Sequence, residues 1–294
     1  MSSTSSTISS IRVSGSRERI AGLGNILRRN PLLLIGLIVV IAWVLGALAA
    51  PLLAPFQPLQ QNVAERLQPP GSPNHLWGTD ELGRDIYSRV LYGGRITIPA
   101  SLLVIVFGSV IGSVVGAVAG YLGGFYDELL MRLTELFMAF PTIILAMAVS
   151  SALGPSIQNA ILALVVVWWP SYARMMRGLV IKAKTNDYVE AAQCLGASRF
   201  YLLWKTIVPN CLSPMLVMTT LDVGNAVLTF AGLSFLGLGP EPASPEWGRM
   251  VAVGIDYFDQ WWMWLYPGAA IAFLVIAFNF IGDGLRDILD PRMR

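Results

Sequence analysis

Charge is what this sequence has least of. Only 13% of its 294 residues are Asp, Glu, Lys or Arg, against 55% hydrophobic residues, a balance that excludes an ordinary soluble domain and makes a bilayer the expected solvent. Lys and Arg number 20 and Asp and Glu 18, with no dominant basic stripe, so no nucleic-acid partner is expected. Cysteine occurs twice, at Cys194 and Cys211, without metal-ligand spacing. A structural disulfide is therefore not expected, and both read as buried small apolar residues. Histidine occurs once, at His75. No Gly-x4-Gly-Lys-Ser/Thr run is present, which excludes nucleotide binding through a P-loop in this chain. Ser234 sits in Gly-Leu-Ser-Phe-Leu-Gly rather than in a nucleophile elbow. Neither a catalytic triad nor a metal cluster assembles, and no internal repeat of about 20 to 50 residues stands out.

Long apolar runs are what the sequence has in quantity. A helix rises about 1.5 Å per residue, so roughly 20 apolar residues cross a hydrocarbon core of about 30 Å. Six stretches qualify, at residues 31–50, 96–120, 129–153, 157–178, 211–235 and 264–281. The expected fold class is an all-α membrane protein with six transmembrane helices. The fourth stretch, carrying Trp168, Trp169 and Pro170, is expected to kink. An even count puts both termini on one side. With the N-terminus inside, the internal segments hold fifteen Lys or Arg and the external segments five, and the positive-inside rule favours that N-in, C-in arrangement.

Residues 1–30 read as a disordered terminus followed by a helix on the cytoplasmic surface. Eight serines fall in the first sixteen residues, no cleavable signal is visible, and Ile20, Leu23, Ile26 and Leu27 then share one helical face. Residues 31–95 hold the first span and an external loop broken by Pro51, Pro55, Pro58, Pro69, Pro70 and Pro73, which forbid a single helix. Residues 96–294 form a five-helix core. In the external loop, residues 75–89 mix opposite charges with glycines and suit a turn leading into an amphipathic helix. The other external segment, residues 236–263, carries Gly-Leu-Gly-Pro and Pro-Glu-Trp-Gly and reads as stiff. Tyr257, Phe258, Trp261, Trp262, Trp264 and Tyr266 crowd the start of the sixth span, as an interfacial aromatic belt or as contacts for a ligand.

Ionisable groups inside spans are costly and suggest function. Glu135 stands three residues after Arg132, close enough on one helix face to pair with it. Asp222 has no sequence-local partner and suits either a translocation path or a subunit interface. Gly108, Gly112, Gly116 and Gly120 recur every fourth residue, a stripe that permits close helix contact within the subunit or with a second one.

The chain is organised around residues 187–206, a polar helical island between two apolar spans. Asp187 is placed to cap a helix with Glu190 three residues on, Ala191, Ala192, Gln193 and Leu195 favour helix, and Gly196 stops it. Residues 199–206 then carry Phe200, Leu203 and Trp204 at helical spacing before Pro209 opens the next span. The result is a compact knob tethered at both ends.

Here the sequence resembles the cytoplasmic signature of ABC importer membrane subunits. Glu190, Ala191, Ala192, Gly196, Ile207 and Pro209 fit it, with Val208 where Leu is commoner. Gly78, Thr79, Asp80, Glu81, Leu82, Gly83, Arg84 and Asp85, followed by Tyr92-Gly93-Gly94-Arg95, resemble the segment ahead of the second span in the dipeptide/oligopeptide (peptide/nickel) branch, in its C-type subunit. Residues 231–239 and Trp247-Gly248 resemble that branch too, with Phe230 where an acidic residue is frequent. The resemblance covers residues 25–290 and implies the type I ABC importer permease fold in a bacterial plasma (inner) membrane. It implies a second homologous permease subunit, two ATP-binding subunits or one fused ATPase, an extracytoplasmic substrate-binding protein, surrounding lipid and a peptide substrate. ATP and Mg would sit in the partner ATPases, and this chain would be a transport subunit, not an enzyme, without a cofactor of its own. On this reading residues 187–206 couple to the ATPase. Gly78, Thr79, Asp80, Gly83, Arg84, Asp85 and Trp247 serve docking of the binding protein, and Asp222 and Glu135 are candidates for the path. The rival expectation is a stand-alone secondary transporter or channel using the intramembrane carboxylates Glu135 and Asp222.

Overall fold

The computed structural model describes residues 30–289, so the expected terminal tail and surface helix lie outside the described residues. Helix α1, Pro31–Leu48, starts with proline in its first turn, where a missing N–H leaves no bond unmade. A single turn, Ala50–Leu53, leads into a proline-rich lobe containing a 3₁₀ turn at Val63–Glu65. Helix α2, Ile86–Leu122, begins well before the apolar run because Asp85 caps it, accepting the Ser88 N–H at 2.8 Å.

Helices α3, Gly124–Met138, and α4, Thr142–Leu153, correct the expectation of one continuous third span. They meet at 89°. Pro141 lacks an N–H and steers Phe140 away from helical dihedrals, so the first helix ends before it and the second starts after it. Helix α5, Ile157–Lys184, runs on through Pro170. Helix α6, Asp187–Cys194, is followed by a helical turn at Arg199–Tyr201 and a π-helical stretch, Leu202–Ile207, that continues into α7, Val208–Phe235. Pro209 accounts for the widened turns, since it withholds an N–H from the helical ladder. Helices α8, Trp247–Asp256, and α9, Trp261–Leu289, complete the described chain.

Among the described residues, four helices are long and apolar enough to cross a membrane: Pro31–Leu48, Ile86–Leu122, the continuous Arg199–Phe235 and Trp262–Leu289, or five with the bent pair. The α5 helix falls outside that set because Gln158 and Asn159 in its first turn, the Trp168–Tyr172 run and the basic residues from Arg174 onward leave no stretch of membrane length apolar enough. Its Leu164, Tyr172, Ala173 and Val180 are buried against neighbouring helices, so protein rather than lipid surrounds much of it.

The glycine stripe brings two long helices to backbone contact. A Cβ on Gly112 would strike the Trp169 carbonyl and Tyr172, and one on Gly116 would strike the Ala173 carbonyl. Positions rise together along both helices, so α2 and α5 run parallel at backbone contact within one subunit. Gly224 faces Val275 and Gly282 faces Leu221, which makes α7 and α9 antiparallel; Gly36 against Ala277 and Gly284 against Leu33 do the same for α1 and α9. Asn30, Leu289 and α6 therefore gather at one end of the bundle. The proline-rich lobe and α8 stand at the other.

Candidate functional site

At the first end, α6 is rooted and its tip is bare. Val189 is buried with Leu202, Leu203 and Ile207 in an apolar cluster that continues into Tyr172, Met176 and Met215 of the spanning helices. Leu195 is 88% exposed and Phe200 74%. Between them Gly196 takes φ of 85°, a left-handed conformation natural to glycine. Its N–H donates to the Gln193 carbonyl at 2.9 Å and the Ala197 N–H to the Ala192 carbonyl at 3.1 Å, the paired bonds of a Schellman stop. The Ser198 hydroxyl then accepts the Tyr201 N–H at 3.3 Å.

Asn186, not Asp187, occupies the N-cap, and it makes no side-chain capping bond. Asp187 instead lies in the first turn with Glu190, where two negative charges complement the helix dipole. Of the signature residues, Glu190, Ala191, Gly196 and Pro209 are exposed, Ala192 is half-buried and Ile207 is buried. Cys211 is buried as expected, but Cys194, the last residue of α6, is exposed. Leu195 carries no sequence mark of exposure beyond its place beside the stopping glycine.

At the other end the charged loop folds inward. Asp80 accepts the backbone N–H groups of Leu82 and Arg84, each at 2.9 Å, and Arg84 Nε at 2.6 Å. Asp85 meets His75 Nδ1 at 3.0 Å, and His75 stacks on Phe56. Gly78, Thr79, Asp80, Gly83, Arg84 and Asp85 are all buried. Arg89 donates to the Pro58 carbonyl at 3.1 Å and the Ser244 carbonyl at 3.2 Å, tying the lobe to the segment before α8.

Trp247 is fully buried, and its indole N–H donates to the Val90 carbonyl at 2.8 Å. Glu246 beside it caps α8, accepting the Gly248 and Arg249 N–H groups at 3.0 and 2.9 Å and the Thr97 hydroxyl at 3.1 Å. Burial pushes the Glu246 carboxyl above its ordinary range, and those donors pull it back. Glu246→Ala is expected to lower stability by about 2–4 kcal/mol, through the lost cap and the donors left unpaired. Thermal unfolding in detergent checks this, and an unchanged midpoint would remove Glu246 from the frame.

Inside the bundle, the Tyr172 hydroxyl donates to Asp222 at 2.8 Å, and the Asn225 amide lies 3.4 Å away, so Asp222 does have a sequence-local partner as well as one across α5. Glu135 pairs with Arg132 at 3.4 Å, both largely exposed. The structure brings neither carboxylate into contact with the other. The Glu135 partner follows from i+3 spacing, and so does the Asn225 partner that the sequence reading of Asp222 missed; Tyr172, Thr97 and the Arg89 ties come from residues distant in sequence.

A bundle of apolar helices with a rooted, bare-tipped knob at one end and a tied lobe at the other defines the class: an integral-membrane protein. Residues 108–294 match the family described as binding-protein-dependent transport system inner membrane component, and residues 25–70 match the N-terminal transmembrane domain of oligopeptide transport permease C. The chain belongs to this family of ABC transporter permeases of the bacterial inner membrane. The dipeptide transport system permease protein DppC of Escherichia coli is 42% identical to it over 273 residues, 91% of either chain. The protein of the same description from Haemophilus influenzae is 40% identical over 273 residues, 91% of this chain and 92% of that one. In structure, the chain is similar to the inward-facing MetNI methionine ABC transporter, with a TM-score of 0.56 and 20% identity over 69% of this chain and 96% of that chain. That likeness carries the fold alone.

Proposed function

We propose that this chain is one of two membrane subunits of an ATP-driven importer of short peptides, receiving cargo from an extracytoplasmic binding protein and passing it between itself and a second homologous permease. It spans six times, through α1, α2, the α3–α4 pair, α5, α7 and α9, with both ends in the cytoplasm. The alternating helix directions, and the fifteen basic residues in the segments that this orientation puts inside against five outside, support it.

One observation carries the reading: the root of the 187–206 knob is buried in the spanning core while Leu195 and Phe200 at its tip are bare. Apolar groups presented this way fit a partner surface, here the cleft of a separate ATP-binding subunit, two of them or one fused, which also holds ATP and Mg. Nucleotide binding shifts such an equilibrium only by its differential affinity for the two states, and coupling of about 5- to 150-fold corresponds to about 1–3 kcal/mol. The knob conveys that difference to α5 and α7, which flank it. At the outer end Gly78, Thr79, Asp80, Gly83, Arg84, Asp85 and Trp247 act in docking as the buried frame of the receptor-facing surface. Leu59, Val63 and Leu76, all more than half exposed, supply its contacts. Asp222, held by Tyr172, and Glu135 line the path.

Gentle purification of the tagged chain is expected to bring down a second permease and ATP-binding subunits. The recovered complex in proteoliposomes is expected to take up receptor-bound dipeptide only with ATP. Uptake by the lone chain under an ion gradient would contradict the proposal.

A further inference from the structure

Near the bend between α3 and α4, a cleft of about 370 Å³ opens between α3 and α5, lined by Met131, Thr134, Glu135, Met138, Arg174 and Arg177. Its charges are unevenly engaged. Arg177 is held by both oxygens of Asp127, one at 2.7 Å. Arg132 holds Glu135 at 3.4 Å with side chains 74% and 66% exposed, a weak contact in water. Arg174 has no carboxylate partner among the described residues; its Nη2 meets only the Met138 thioether, a poor acceptor, at 3.0 Å. The cleft thus offers a loosely held carboxylate on one wall and an unmatched guanidinium on the other.

We propose that this cleft is a transient binding site for the two charged ends of a short peptide, its α-ammonium on Glu135 and its α-carboxylate on Arg174. The proposal rests on the importer reading and deepens it by assigning the cargo a place in this chain. Three features support that occupant. A volume of this size falls at the lower end of small-molecule sites, which run about 300–1,000 Å³. A guanidinium fork matches a carboxylate with two parallel hydrogen bonds. Met131 and Met138 on the same wall are adaptable apolar surface, suited to side chains that vary from one peptide to the next. Because Asp127 already neutralises Arg177, the added anion belongs on Arg174. Transport also requires a site that lets go, and exposed charges bind without holding.

The test is direct binding of radiolabelled dialanine to the full complex in neutral-lipid nanodiscs, without nucleotide or receptor. Dialanine amide and N-acetyl-dialanine serve as competitors. Wild type is expected to bind dialanine saturably and each blocked peptide at least about tenfold more weakly, the scale of one charge-assisted hydrogen bond. Arg174→Gln is expected to weaken dialanine by a similar factor while leaving dialanine amide unaffected, and Glu135→Gln to do so for the ammonium end and N-acetyl-dialanine. Should a variant fail to assemble, the free and blocked peptides on wild type decide alone. No binding by wild type, equal competition by blocked peptides, or variants that bind dialanine normally would overturn the proposal. So would an Arg174 effect that appears only with anionic lipid, which would make the cleft a headgroup site. Receptor-stimulated ATP hydrolysis by the wild-type complex is read separately: its absence sinks the importer reading, and its presence beside unchanged variant binding sinks only the cleft.

Discussion

Leucine at Gly112 or Gly116 is expected to leave no folded subunit in the membrane fraction. Overpacking a core ordinarily costs about 1–3 kcal/mol because side chains move aside. Here a Cβ alone already meets the backbone carbonyls of Trp169 and Ala173, and a backbone within a helix has nowhere to go. Relief requires α2 and α5 to separate along their shared length, uncovering Val104, Leu164, Tyr172 and Ala173, all fully buried. Against a total stability of about 5–15 kcal/mol, that loss is not survivable. Gly178 on the same α5 helix supplies the control, since a Cβ there meets nothing within 4 Å. Gly178→Leu should accumulate normally on size-exclusion chromatography in detergent. A Gly112→Leu subunit that accumulates and melts like wild type would mean that the α2–α5 contact is looser than described.

The second large effect is functional and spares the fold. Glu190 is exposed in the first turn of α6, so Glu190→Lys breaks no internal contact and loses only about 0.3–1 kcal/mol of dipole complementarity. Gly196→Leu meets open space, and its penalty is the left-handed backbone, about 1–2 kcal/mol. Both alter the face that is proposed to enter the ATPase cleft. Insertion and melting should stay near wild type, while ATP-driven uptake by the reconstituted complex falls at least about tenfold, within the range of ordinary coupling energies. Normal uptake by both variants would remove the knob from the coupling path.

The contrast between these two predictions follows what the sequence made legible. Five of the six apolar stretches each fall on one helix to within two residues, and the third on a broken pair, because a run of that length and polarity has few other uses in a chain this poor in charge. The glycine stripe announced close contact, yet its partner was not readable, since α5 is fixed by packing between segments more than 50 residues apart on average. The signature residues marked the knob, and Gly196 stops α6 as its position implied. Polar spacing was misleading where burial is set from a distance. Asp80, Arg84 and Asp85 look like surface charges, and they are drawn inside by one another and by the Arg89 ties to Pro58 and Ser244. Cys194 was misread in the opposite sense, because a small apolar residue type says nothing about which face of a short amphipathic helix it occupies. The 89° break had a visible cause in Pro141, whereas Pro170 sits inside an unbroken helix. Proline alone does not tell a break from a tolerated kink; neighbouring helices settle it.

The central claim, a cytoplasmic knob covered by an ATP-binding partner, is open to one measurement on the unmutated protein. Cys194 is exposed at the end of α6 and Cys211 is buried, so a membrane-impermeant maleimide reports on a single position. Labelling is predicted in inside-out vesicles stripped of the ATP-binding subunits, to be suppressed when those subunits are bound, and to be absent from right-side-out vesicles. Labelling from the outer face, or labelling indifferent to the ATP-binding subunits, would contradict the account.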